Sequence, residues 1–78
     1  MRTKRYAEDS YLVTVKMGRA EVCQREIHKR FRADAAKEVA ESLGYELVTP
    51  GMVEPDRSIR FRAFKDGGQE WVTVWVTR

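Results

Sequence analysis

Residues 57–78 read RSIRFRAFKDGGQEWVTVWVTR, and they carry the strongest structural signal in the chain. Two runs of aromatic and β-branched residues flank Asp66-Gly67-Gly68, a combination typical of hairpin turns because glycine adopts positive φ without steric cost. The sequence therefore predicts two antiparallel strands, and a loop of two or of four residues gives the same pairing. Side chains alternate between the faces of a strand, so one face is wholly apolar and pairs Ala63 with Val72, Phe61 with Val74 and Ile59 with Val76.

The other face of the predicted hairpin combines aromatic with basic side chains. It places three pairs side by side: Phe64 with Trp71, Arg62 with Thr73 and Arg60 with Trp75. Soluble monomers tend to avoid large apolar rings in water, so three explanations are open. Residues 1–10 or 20–32 cover the rings and form a second small core. Alternatively, a partner protein or a second copy packs on them, or the bases of single-stranded nucleic acid stack on them.

Residues 11–32 contain one clear strand and one ambiguous segment. The stretch from Tyr11 to Met17 alternates well, which predicts a strand that ends at Gly18-Arg19. Residues 20–32 also fit a helix, through four residues at helical spacing: Ala20, Cys23, Ile27 and Phe31. If this segment and the next formed one continuous helix, the two apolar stripes would lie on different sides of it. We therefore favour a second strand and leave a separate helix as the alternative.

Residues 34–43 form the predicted helix. Asp34 is a suitable N-cap because its carboxylate can accept the free N–H groups of the first turn. One apolar stripe follows: Ala36, Val39, Ala40 and Leu43. Gly44 stands where a left-handed residue ends many helices. We expect this stripe to pack on Phe61 and Val74, because a hairpin alone is only marginally stable in water.

Residues 45–56 connect the helix to the hairpin. They predict a short strand at 45–48, a type II turn at Thr49-Pro50-Gly51-Met52 and a loop at 52–56. The predicted fold class is α+β, an antiparallel sheet of four to five strands with one short helix packed on one face, in the order β-β-α-β-β-β. Residues 11–78 are expected to form a single small domain, preceded by a flexible basic arm at residues 1–10.

The composition is that of a small basic protein. The net charge is +3, yet residues 34–56 hold one Lys against six Asp and Glu, while the flanking segments are basic. Cys23 is the single cysteine, which excludes an internal disulfide and fits a reducing cytoplasm. The sequence shows no signal peptide and no apolar run of about 18 residues, so a cytoplasmic protein without membrane association is expected.

Catalytic, metal and cofactor sites are not expected. Cys23 and His28 suggest a nucleophile and its base, but their spacing puts them on opposite faces of a strand and well apart around a helix. Gly67-Gly68 precedes no helix, so it does not form a phosphate-binding loop. Five acidic residues lack the spacing of a calcium loop and have no histidine nearby: Glu38, Glu41, Glu46, Glu54 and Asp56.

The last hairpin, with KDGGQEWV at Lys65–Val72, completes an architecture of strands and one short capped helix. This architecture resembles that of several phage-encoded anti-CRISPR inhibitors, a family without a diagnostic motif. The resemblance implies a non-enzymatic inhibitor that occupies a protein or nucleic-acid site of a CRISPR effector complex. The basic net charge departs from the strongly acidic members of that family, which disfavours mimicry of DNA.

The predicted function is the binding of a macromolecule through the aromatic and basic face. The partner-binding residues that we predict are Arg57, Arg60, Arg62, Phe64, Trp71 and Trp75. A protein or ribonucleoprotein partner is favoured, because a net charge of +3 with an acidic helix attracts phosphates poorly. The alternative is a nucleic-acid-binding module that uses the same face and the basic arm. A monomer and a homodimer are both compatible with the sequence.

Overall fold

The computed structural model describes residues 9–78, which form one five-stranded antiparallel sheet and one α-helix. This α+β fold has the predicted order β-β-α-β-β-β. Of the predicted basic arm, residues 1–8 lie outside the described part of the chain, and Asp9 and Ser10 begin the first strand. The elements are β1 Asp9–Met17, β2 Ala20–Lys29, α1 Arg32–Ser42, β3 Glu46–Val53, β4 Ile59–Lys65 and β5 Glu70–Thr77.

The strands lie in the order β2-β1-β5-β4-β3, with every neighbouring pair antiparallel. The predicted hairpin is confirmed in its register, because Phe61 lies opposite Val74 and Arg60 lies opposite Trp75. A 3-10 turn at Asp66–Gly68 joins its two strands, and Gly67 has a φ of 66°. Residues 20–29 are a strand, which confirms the favoured interpretation of that segment over a helix.

The core lies between α1 and one face of the sheet. Val13 and Val15 of β1 and Val74 and Val76 of the central strand β5 are fully buried there. Ala36, Val39 and Ala40 of the helix are buried, and Leu43, the residue that follows it, is partly buried against them. The predicted packing of Phe61 and Val74 with the helical stripe is therefore confirmed. Because α1 covers this face alone, the opposite face of the sheet is the candidate for function.

The predicted cap at Asp34 is wrong. The helix begins at Arg32, and its N-cap is Phe31, whose backbone is extended and which makes no side-chain capping bond. The first turn is closed by the Ala35 amide, which donates to the Phe31 carbonyl at 3.2 Å. Asp34 consequently lies inside the first turn, where a negative charge still favours the helix dipole. Gly44 ends the helix region with a φ of 86°, as predicted.

The predicted type II turn at residues 49–52 is also wrong. Strand β3 continues from Glu46 to Val53, with its register irregular between Val48 and Met52. Gly51 lacks the positive φ that a type II turn requires at its third residue. Its role is close packing, because an added Cβ would lie 2.6 Å from Ile59 Cγ2 and 2.7 Å from Phe61 Cε2.

Candidate interaction surface

The sheet face opposite α1 is defined here as the open face. Alternation along the strands brings side chains from all five strands onto it. Five of the six residues predicted to bind a partner lie on this face, the exception being Arg57. Its central residues are Leu12, Thr14 and Lys16 of β1, Val48 and Met52 of β3, Arg60, Arg62 and Phe64 of β4, and Trp71, Thr73 and Trp75 of β5.

Trp71 is held in one orientation although it is 40% exposed. Its indole N–H donates to the Gly68 carbonyl at 2.8 Å, which ties the ring to the hairpin turn. The Phe64 ring packs beside it, with centroids 5.1 Å apart and planes tilted by 42°. The Arg62 guanidinium lies over the indole, 4.3 Å from the ring centre. These contacts hold Trp71, Phe64 and Arg62 in one arrangement on the surface before any partner binds.

Trp75 and Arg60 form a second unit of the same kind, but here the arginine makes further contacts within the chain. Trp75 is half-buried, and the Arg60 guanidinium lies 5.6 Å from its ring centre. Such a cation–π contact is worth about 0.5–1 kcal/mol at an exposed site. Arg60 also pairs with Glu54 at 3.5 Å and lies 3.2 Å from the Met52 sulfur. Its charge is therefore already balanced within the chain.

A shallow depression of about 370 Å³ lies beside Trp71 on the open face. Lys16 and Arg62 flank its floor, because each lies opposite Thr73 from one side of β5. Arg60 of β4 also lines it, and β3 contributes an apolar wall through Val48, Pro50 and Met52. Lys16 was not among the predicted binding residues. Its position on the polar face of β1 was visible in the sequence, but the pairing of β1 with β5 was not.

Arg57 does not join this surface. It lies in the loop between β3 and β4, where its φ is 71° and its amide donates to the Glu54 carbonyl at 2.9 Å. The Arg57 carbonyl accepts a hydrogen bond from Arg32 Nη1 at 3.2 Å. Arg57 and Arg32 line a separate depression of about 610 Å³ that also includes Arg78. Proximity in sequence to Arg60 was therefore a poor guide to its place in the structure.

A polar cluster at the end of the hairpin was not predicted. The hydroxyl of the buried Tyr45 donates a short hydrogen bond to Glu70 Oε2. This bond, together with burial and the charge of Glu70, raises the pKa of Tyr45. Lys65 Nζ lies 3.6 Å from Glu70 Oε2 and 4.6 Å from the Tyr45 ring centre. Desolvation is the largest influence on Lys65 and acts to lower its pKa, but the charges of Glu70, Tyr45 and Asp66 and the hydrogen bond with Tyr45 together outweigh it, so the pKa is raised. The cluster fixes the hairpin to the segment after α1.

The structure places Cys23 and His28 as the strand interpretation required. Cys23 is half-buried and packs against the core, whereas His28 is exposed opposite Ser10. Residues 9–78 contain no group of three or more His, Cys, Asp or Glu side chains arranged to hold a metal ion. Within the same range, no helix has the length and apolar character needed to cross a membrane.

Comparison with known protein families, curated proteins and solved structures yields no match for the chain. What the protein binds must therefore be inferred from its own residues and their geometry.

Proposed function

We propose that the chain is a small non-enzymatic binding protein that attaches through its open face to a protein or ribonucleoprotein complex. The observation that carries the proposal is the exposed Trp71, held by Gly68 and covered by Arg62. Tryptophan and arginine dominate the binding energy of many protein interfaces. A ring that is already fixed loses little conformational freedom on binding, which favours affinity.

The charges on the open face favour a protein over a nucleic acid. Among the described residues, Arg60 is paired with Glu54. Lys16 and Arg62 alone remain on this face as basic side chains without an ion pair in the described chain. A single strand of nucleic acid needs a row of cations along its phosphates as well as aromatic rings. Two free cations are a weak phosphate track but are sufficient for a mixed protein interface.

The architectural resemblance to phage-encoded anti-CRISPR inhibitors supplies the kind of partner in this proposal. Such a protein would work in the cytoplasm and inhibit an effector complex by occupying one of its sites. The open face supports inhibition by blocking a site of the complex. It offers aromatic and basic side chains that can bind a protein, and not a row of carboxylates that would imitate DNA. The net charge of +3 agrees with that choice.

A capture experiment tests the proposal. The immobilised protein is incubated with a bacterial lysate that contains a CRISPR effector complex, with and without nuclease, and bound proteins are identified by mass spectrometry. We expect specific capture of one complex, whose protein component stays bound after nuclease treatment. Trp71→Ala should abolish capture, since it removes the central anchor. Lys37→Ala, on an exposed position of the helix, is the matched control and should capture normally.

Two results would contradict the proposal. Loss of every captured protein after nuclease treatment, with affinity falling steeply as salt rises, would assign the open face to nucleic acid through counterion release. Equal capture by the wild type and by Trp71→Ala would exclude the open face altogether. A thermal melt of each variant by circular dichroism establishes that any loss of binding does not come from unfolding.

A further inference from the structure

We infer that the depression between Lys16 and Arg62 receives a carboxylate side chain of the protein partner, an inference that rests on the proposed function. The depression exists because a short residue lies between two long ones. Thr73 of β5 lies opposite Lys16 on one side and opposite Arg62 on the other. Adjacent strands are about 4.8 Å apart, so the two basic residues begin about 10 Å from each other. Both side chains are long enough to contact a group seated over Thr73.

Three donors around the depression, those of Lys16, Arg62 and Thr73, have no acceptor in the described part of the chain, whereas Arg60, which also lines it, is paired with Glu54. Glu21 lies opposite Lys16 on β2, but no ion pair joins them. Arg62 likewise has no carboxylate partner, and the Thr73 hydroxyl makes no hydrogen bond to a described residue. An ammonium, a guanidinium and a hydroxyl therefore converge on a hollow without any negative group. Such a set of positive and neutral donors is suited to bind one anionic group.

The position of Arg62 favours a carboxylate. A guanidinium presents a planar fork of donors that matches the two oxygens of a carboxylate. The guanidinium already lies 4.3 Å from the Trp71 ring centre in the free protein. Folding has therefore already removed part of its conformational freedom, and less is lost when a ligand binds. The ligand group then gains a charge-assisted hydrogen bond at a smaller entropic cost.

The wall of the depression indicates what stands next to that carboxylate. Val48 and Met52 are exposed, at 37% and 59%, and Pro50 lies between them. This apolar wall suits an apolar residue adjacent to an Asp or Glu of the partner. It does not suit a phosphodiester chain, which would meet the wall on one side and Glu54 beyond Arg60 on the other.

A peptide titration followed by 15N NMR tests the inference without the partner. The probes are acetyl-Leu-Glu-Leu-amide, its Gln counterpart and inorganic phosphate, all at one ionic strength. We expect the Glu peptide to shift the amide signals of Lys16, Arg62 and Thr73 and the indole signal of Trp71. The Gln peptide, which lacks the charge, should bind the same site about fivefold more weakly, near the upper end for an exposed ion pair. Phosphate should also bind more weakly than the Glu peptide, because it has no apolar group to contact the wall.

Variants localise the effect. Lys16→Gln and Arg62→Gln should each weaken Glu-peptide binding about three- to fivefold, whereas Lys37→Gln on the helix should leave it unchanged. Equal binding of the Glu and Gln peptides, or tighter binding of phosphate, would overturn the inference. The inference would also be overturned if Lys16→Gln captured the partner normally while Trp71→Ala abolished capture. In that case the proposed function would still stand. If neither substitution changes capture, the proposed function fails as well.

Discussion

Replacement of Val74 by Asp tests the assignment of the two sheet faces. Val74 is fully buried on the central strand β5, between Val15 of β1 and Phe61 of β4. A carboxyl group there must stay protonated at pH 7, about 3 units above the ordinary pKa of Asp, which costs about 4 kcal/mol. Loss of the buried valine side chain adds about 1.5–3 kcal/mol. A domain of 78 residues has a total stability of about 4–12 kcal/mol. We therefore expect Val74→Asp to be largely unfolded at pH 7.

The neighbouring position supplies the control for this experiment. Thr73 lies next to Val74 on the same strand, but its side chain is on the open face between Lys16 and Arg62. Thr73→Asp places a carboxylate beside two cations, so its stability should stay within about 1 kcal/mol of the wild type. Thermal and urea unfolding followed by circular dichroism measure both variants. A cooperative transition of Val74→Asp at the wild-type midpoint would refute the assigned register.

Two further predictions concern stability. Gly51→Ala should destabilise the protein by about 1–3 kcal/mol, since the new methyl group would overlap Ile59 and Phe61; an unchanged urea midpoint would show that β3 moves away freely. Tyr45 holds its proton more tightly in the folded state, so the unfolded chain loses its proton first and stability should fall as pH rises above about 10. Tyr45→Phe should lose about 1–3 kcal/mol at pH 7 and show a flatter decline above pH 10; the same alkaline slope in both proteins would contradict the role of its hydroxyl.

The parts of the fold that could be predicted are those in which a local pattern and the core agree. Alternation along β4 and β5 defined two chemically distinct faces, and the Asp66-Gly67-Gly68 turn set their register. The stripe that includes Val39 then identified the helix face that covers them. In these segments a shift of one residue would expose the apolar set, so only one arrangement is compatible with the sequence.

The two wrong predictions come from local signals that packing overrides. Pro50-Gly51 is a frequent turn pair, yet Gly51 is needed where β3 approaches Ile59 and Phe61 too closely for any side chain. Asp34 is a good capping residue, yet Phe31 already has the extended backbone from which the first turn begins. Neither circumstance can be recognised without the neighbouring strand or the incoming chain.

The candidate site was only partly visible in the sequence, for a topological reason. The aromatic and basic side chains of β4 and β5 are close in sequence and were predicted to be neighbours. Lys16 reaches the site through the pairing of β1 with β5, which joins residues at opposite ends of the chain. No local pattern encodes a contact of such long range, so the depression at Thr73 could be found only in the structure.

The asymmetry of the open face defines where a partner should contact it. Helix α1 has 11 residues and is about 16 Å long, so it can cover one face of the sheet and no more. On the β1–β2 side of the open face, polar groups bond to each other: Gln24 donates to Thr14 at 3.1 Å, and Ser10 donates to Glu26. These bonds leave that side little to gain from a partner. On the β3–β5 side, the exposed rings and apolar residues gain by losing contact with water. We therefore expect the partner to cover β5, β4 and β3 and to end at Lys16, which stands on the border between the two sides.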